Sequence, residues 1–145
     1  MLKNIDPILS PDLLHVLRSM GHGDELVVVD ANFPATSHAQ RMVRLEGVSA
    51  THAVQAILSL MPLDTYVDAA VFSMENAADV TTLPRVVQEF QDIVSMETEN
   101  EMQIQPIERF GFYDRAKTAF AIVQTAETRH FGNLILKKGV LADTA

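Results

Sequence analysis

The stretch Met20-Gly21-His22-Gly23-Asp24-Glu25-Leu26-Val27-Val28-Val29-Asp30-Ala31-Asn32-Phe33-Pro34 decides how this chain reads. Four consecutive apolar residues, Leu26 to Val29, are the pattern of a short strand buried on both faces. Such a strand needs helices above and below it, which places it inside a parallel or mixed sheet. His22 precedes the strand and Asp30 follows it. Ligands of open α/β sheets collect beyond the carboxyl ends of strands, so Asp30, Asn32 and the turn ending at Pro34 are candidate cleft residues. Spacing does not say whether His22 reaches the same cleft.

Upstream, Ser10-Pro11-Asp12 is a helix start: a serine cap, a proline suited to the first helical position and an aspartate at the positive end of the dipole. Leu13, Leu14, Leu17 and Met20 form one stripe, which predicts a helix over about Pro11 to Met20 with Gly21 in the left-handed position beyond it. Downstream, Ala35 to Arg41 reads as a loop and Met42 to Leu45 as a short strand. Ser49 or Thr51 caps a second helix with the stripe Ala53, Val54, Ile57, Leu58 and Met61, ended by Pro62. Ala69 to Phe72 is a further strand, and Pro84 opens a helix marked by Val86, Val87, Phe90, Ile93 and Val94. Glu99-Asn100-Glu101 is a charged loop, and Gln103 to Pro106 holds an edge strand with proline at its end. Arg109 to Lys117 reads as a short aromatic and basic helix. Phe120 to Val123 and Leu134 to Leu136 are two final strands around the polar turn Glu127 to His130. Alternating strands and helices predict a single α/β domain over residues 1–145, a three-layer α/β/α sandwich around a mixed sheet.

With 11 Lys and Arg against 19 Asp and Glu, the net charge of -8 leaves little to attract a phosphate backbone, so nucleic acid is not an expected partner. The chain has no cysteine, which removes disulfides, thiolate metal sites and a cysteine nucleophile. The amino terminus lacks a secretory pattern and no apolar run approaches a membrane span, so a soluble, cytoplasmic protein without membrane attachment is expected. Apolar content of 48% in a chain this small suggests that part of the surface is spent on subunit contacts.

Three features are candidates for chemistry. His22, framed by Gly21 and Gly23, is either a turn histidine or an acid/base group presented from a permissive backbone, since imidazole is the side chain that ordinarily changes charge near neutrality. Asp30 is either a loop cap or a ligand carboxylate. Arg109 and Arg115 either clamp oxygen ligands or make surface ion pairs. His15, His38, His52 and His130 are scattered and read as surface or packing residues; no ligand spacing supports a metal site. No phosphate-cradling glycine motif and no Gly-x-Ser-x-Gly elbow is present.

Four ordered segments go further. Met20-Gly21-His22-Gly23-Asp24-Glu25, Asp30-Ala31-Asn32-Phe33-Pro34, Glu108-Arg109-Phe110 with Phe112-Tyr113, and Phe131-Gly132-Asn133-Leu134-Ile135-Leu136-Lys137-Lys138-Gly139 together resemble the L-fucose mutarotase and D-ribose pyranase family. The Asn32-Phe33-Pro34 turn and Glu108-Arg109-Phe110 resemble its fucose branch. The resemblance implies that His22 is the proton donor, and that Asp30, Arg109, Phe131, Gly132 and Asn133 contact the sugar. It departs at one position: the fucose branch commonly has tyrosine where this chain has Phe131, which keeps the ring and loses the hydroxyl.

The activity so implied is an isomerase of fucose metabolism that interconverts the α and β anomers of L-fucose or a related aldose by acid/base-assisted ring opening, with no cofactor and no metal. D-ribose pyranase activity and a non-catalytic sugar-binding oligomer are the rival expectations, the latter because of Phe131. The resemblance also implies a homodecamer whose sites are completed by neighbouring subunits.

Overall fold

The structure is a computed structural model that describes residues 1–99 and 101–144. In chain order its elements are α1 (Pro11–Ser19), β1 (Glu25–Val29), α2 (Ala35–His38), β2 (Met42–Arg44), α3 (Ala50–Leu58), β3 (Val71–Met74), α4 (Arg85–Glu97), β4 (Gln105–Ile107), α5 (Arg109–Thr118), β5 (Ala121–Gln124) and β6 (Leu134–Lys137). The strands form one six-stranded sheet in the order β2-β5-β1-β6-β3-β4. All neighbours are parallel except β6, which runs antiparallel between β1 and β3.

Alternation along β1 divides the interior in two. Leu26 and Val28 point into a core built with α1, α3 and α4; Val27 and Val29 point into a smaller one built with α2 and α5. All four side chains are fully buried, so each contributes about 1.5–3 kcal/mol of burial, and a charge at Val28 would break the larger core. This is the expected three-layer sandwich with a mixed sheet. No helix among the described residues is long and apolar enough to cross a membrane.

The helix starts follow local chemistry. The Ser10 hydroxyl accepts from the Leu13 N–H, and Ser49, rather than Thr51, accepts from the His52 N–H to begin α3. The end of α1 differs from the expected glycine cap: Met20 is extended, and the positive φ of 88° falls on Gly23 instead of Gly21. Lys138 explains the difference, because its ammonium donates to the carbonyls of Leu17 and Met20 and satisfies the helix end without a left-handed residue.

Three other expectations shift. Ala35–His38 is one helical turn where a loop was expected. β3 begins at Val71, two residues later than its apolar run, because pairing of Val71 to Ser73 with Leu136 to Leu134 carries it to buried Ser73 and Met74. Pro106 sits in the middle of β4, which an edge strand tolerates because one side has no partner to receive an N–H. The last two strands are not neighbours, since β1 lies between them. The segment joining them therefore crosses the end of β1. Of the charged loop at 99–101, Asn100 lies outside the described residues.

Candidate active site

That crossing builds the site. Where β1 ends, Asp30, Asn32 and Phe33 face Phe131 and Asn133, which arrive just before antiparallel β6. Met74 ends β3 and Ala77 follows it, and Arg109 and Tyr113 project from the first turns of α5. Together with His130 they line an open cleft of about 290 Å³. This is at the small end of small-molecule sites, which run to about 1,000 Å³. The location is the one that strand carboxyl ends favour.

Hydrogen bonds fix the polar wall. The Asp30 N–H donates to Asn133 Oδ1 at 2.9 Å, and Asn133 Nδ2 donates back to Asp30 Oδ2 at 3.2 Å. The Asn32 N–H donates to Asp30 Oδ1 at 2.9 Å, closing a local turn. Burial pushes the Asp30 carboxyl above its ordinary value of 3.8, against the opposing pull of the Asn32 and Phe33 N–H groups, the Asn133 amide and the nearby His130. Phe131 holds a positive φ of 63°, a conformation uncommon outside glycine, and turns its ring toward the cleft. Gly132 lies behind it, where a Cβ would stand 2.8 Å from Glu127 Cγ.

The opposite wall depends on Glu108. Its carboxylate accepts from the N–H groups of Phe110 and Gly111, capping α5, and those bonds hold it below the usual carboxylate range. The helix begins at Arg109 for that reason. Arg109 Nε donates to the Tyr113 hydroxyl at 3.1 Å, one turn on. Tyr113 packs edge-on against Phe33 and His38. Arg115 serves elsewhere: its Nε donates to Glu25 Oε1 and its Nη2 to Oε2, and it lies over the Phe72 ring at 3.8 Å.

His22 is not in this cleft. It lies at the other end of β1, and five residues at about 3.3 Å each put roughly 16 Å of strand between the two rims. There its Nε2 meets buried Asp64 Oδ1 at 3.0 Å and its ring tilts against Tyr66 at 5.5 Å. The Asp64 carboxyl is held low, first by the Tyr66 N–H and then by His22. The His22 side chain remains 44% exposed, so it is presented outward. Among the described residues, no group of three or more His, Asp or Glu is placed to hold a metal ion.

Residues 3–141 match the RbsD / FucU transport protein family. The chain belongs to that family. Within it, the chain is 42% identical to an L-fucose mutarotase of Actinobacillus pleuropneumoniae serotype 5b (strain L20), over 97% of each chain. It is 44% identical to the fucose mutarotase of Homo sapiens, over 97% of this chain and 95% of that one. The fucose mutarotase of Streptococcus pneumoniae, solved in complex with L-fucose, superimposes with a TM-score of 0.90 at 41% identity, covering 97% of this chain and 100% of that one.

Of the residues that the family resemblance singled out, Asp30, Arg109, Phe131 and Asn133 line one cleft, with Gly132 packed behind it. His22 stands apart from them. Tyr113, Met74 and Ala77 join the cleft without having been named for a site, and His130 lines it although it reads as a surface residue. Tyr113 carried a usable signal, one helical turn from Arg109. Met74 and His130 carried none, because only the sheet order brings them to the end of β1.

Proposed function

We propose that this RbsD / FucU family chain is a monosaccharide mutarotase that interconverts the α and β anomers of L-fucose or a related aldose. One observation carries the reading: Asp30, Arg109, Phe131 and Asn133 converge on a single cleft of sugar size. Similarity to fucose mutarotases over nearly the full chain supports it. Asp30 and Asn133 hold sugar hydroxyls, Arg109 orients an oxygen by a charge-assisted bond, and Phe131 packs on an apolar face of the ring.

Ring opening moves two protons. The anomeric hydroxyl loses one, the ring oxygen gains one as its bond to the anomeric carbon breaks, and the open-chain aldehyde closes again on its other face. His22 supplies the proton to the ring oxygen or relays to it the one that leaves the anomeric hydroxyl, and ring closure returns it. Since His22 faces outward from the far rim, it does this for the cleft of a second copy, so each site is shared. Asp64 holds the imidazole for that role. Exposed Met1, Leu2, Leu60, Val140 and Leu141 supply apolar surface for assembly into a closed ring of ten copies.

Exchange NMR tests the activity by measuring interconversion at equilibrium, with L-fucose and D-ribose compared side by side. Faster anomer exchange of L-fucose is expected. Acceleration of only the pyranose–furanose exchange of D-ribose would replace the reading with a pyranase. A second reading, a non-catalytic sugar-binding oligomer, draws on the absent hydroxyl of Phe131; binding of L-fucose without faster exchange would establish it.

A further inference from the structure

The segment that crosses the end of β1 delivers Phe131 and Asn133 to the cleft. Phe131 sits in the left-handed region, so its surroundings must impose that backbone. Against the next residue, Gly132, stands the side chain of Glu127, which does not line the cleft and is buried with 4% exposure.

Glu127 is tied on every side. Its Oε1 accepts from the Arg129 N–H at 3.1 Å and from Arg129 Nε at 2.9 Å. Its Oε2 accepts from Arg129 Nη2 at 3.1 Å and from the N–H of Ala50, the first residue of α3, at 3.3 Å. Its backbone brackets Asp30. The Ala31 N–H donates to the Glu127 carbonyl at 2.9 Å, while Thr125, whose hydroxyl accepts from the Glu127 N–H, donates to the Val29 carbonyl at 2.8 Å. Its Cγ occupies the space a side chain at residue 132 would need, which is why glycine stands there. Arg129 extends the clamp to α4 by donating to Glu89 at 2.7 Å.

We infer that Glu127 is a positioning residue for the cleft: its carboxylate, buttressed by Arg129 and the start of α3, sets the placement of Phe131, Gly132 and Asn133 against Asp30. The inference rests on the sugar-cleft reading for its effect on function, but not for its effect on structure. The charge matters as well as the shape. Glutamine at this position has one acceptor oxygen and turns an NH2 group toward either Arg129 or the Ala50 N–H.

The test compares Glu127→Gln, Arg129→Gln and Glu89→Gln with the parent protein. Three quantities are read: thermal melting, L-fucose affinity by calorimetry, and the NMR signals of the Asn133 side-chain amide and the Phe131 N–H in sugar-free protein. A misplacement of about 1 Å can cost about 10²-fold in rate, and an affinity loss of about tenfold is expected for Glu127→Gln in folded protein, with both signals shifted. Arg129→Gln, on a partly exposed side chain, should move the same signals and weaken affinity severalfold even if Glu127→Gln does not fold. Glu89→Gln should do less. Lowered melting with affinity within twofold and unmoved signals, in either of the first two variants, would overturn the proposal by reducing Glu127 to a stabilising ion pair. If the parent binds no L-fucose, the sugar reading fails, and the two NMR signals alone decide the positioning role.

Discussion

Asp30 and Asn133, 103 residues apart in sequence, hold each other by two opposed hydrogen bonds at the mouth of the cleft. Each supplies what the other lacks. The amide oxygen takes the Asp30 N–H, which β1 leaves unpaired at its end, and the amide nitrogen meets a buried carboxylate. Asn133→Ala should therefore leave a buried donor unsatisfied and cost about 1–3 kcal/mol, read as a lower midpoint in urea unfolding. The same variant should bind L-fucose more weakly than the parent. Unchanged stability would mean that water replaces the amide at no cost.

The raised carboxyl of Asp30 gives a signed pH dependence. Between the ordinary value of 3.8 and the raised one, the native chain binds more protons than the unfolded chain, so stability attributable to this group falls as pH rises through that window. Sugar hydroxyls donate best to the ionised form. Affinity for L-fucose should thus drop as pH falls, starting above 3.8, and Asp30→Asn should bind weakly without that step. Calorimetric titration across the acidic range checks both, and a pH-independent affinity in the parent would exclude Asp30 as the hydroxyl acceptor.

His22→Ala should abolish accelerated anomer exchange while the chain stays folded, because the side chain is 44% exposed and Gly23 carries the turn. Sharing of sites makes a sharper forecast. Neither His22→Ala nor Asp30→Ala should be active alone, but subunits of the two mixed by reversible dissociation should regain part of the activity, since some sites then pair an intact His22 with an intact Asp30. Light scattering should report a mass far above the 16.0 kDa of one chain. Full activity in a monomer would remove the second copy from the mechanism.

Phe131→Tyr should preserve or raise activity on L-fucose. The ring already borders the cleft, and the added hydroxyl gains both a donor and an acceptor there without altering the backbone at φ 63°. Exchange NMR at matched protein concentration reads the outcome. A loss of exchange with affinity retained would show that the surrounding cleft has been rebuilt around phenylalanine.

Local chemistry accounts for most of the layers. Burial of β1 on both faces, the Ser10 and Ser49 caps and the helical stripes of α3 and α4 all act within a few residues, and each is visible in the amino-acid sequence as a spacing or a cap. The motifs around Asp30, Arg109 and Phe131 are likewise legible in the amino-acid sequence, and the fold brings those three residues to one cleft. Other features depend on which strands become neighbours, and no local pattern carries that. Lys138 replaced a glycine cap because β6 runs back past the end of α1. Insertion of β1 between β5 and β6 makes their connection a crossing segment, and that crossing brought Glu127, His130 and Asn133 to Asp30. It also separated His22 from them, because a side chain at the start of a strand and one at its end lie on opposite rims of any sheet, however close they stand in sequence.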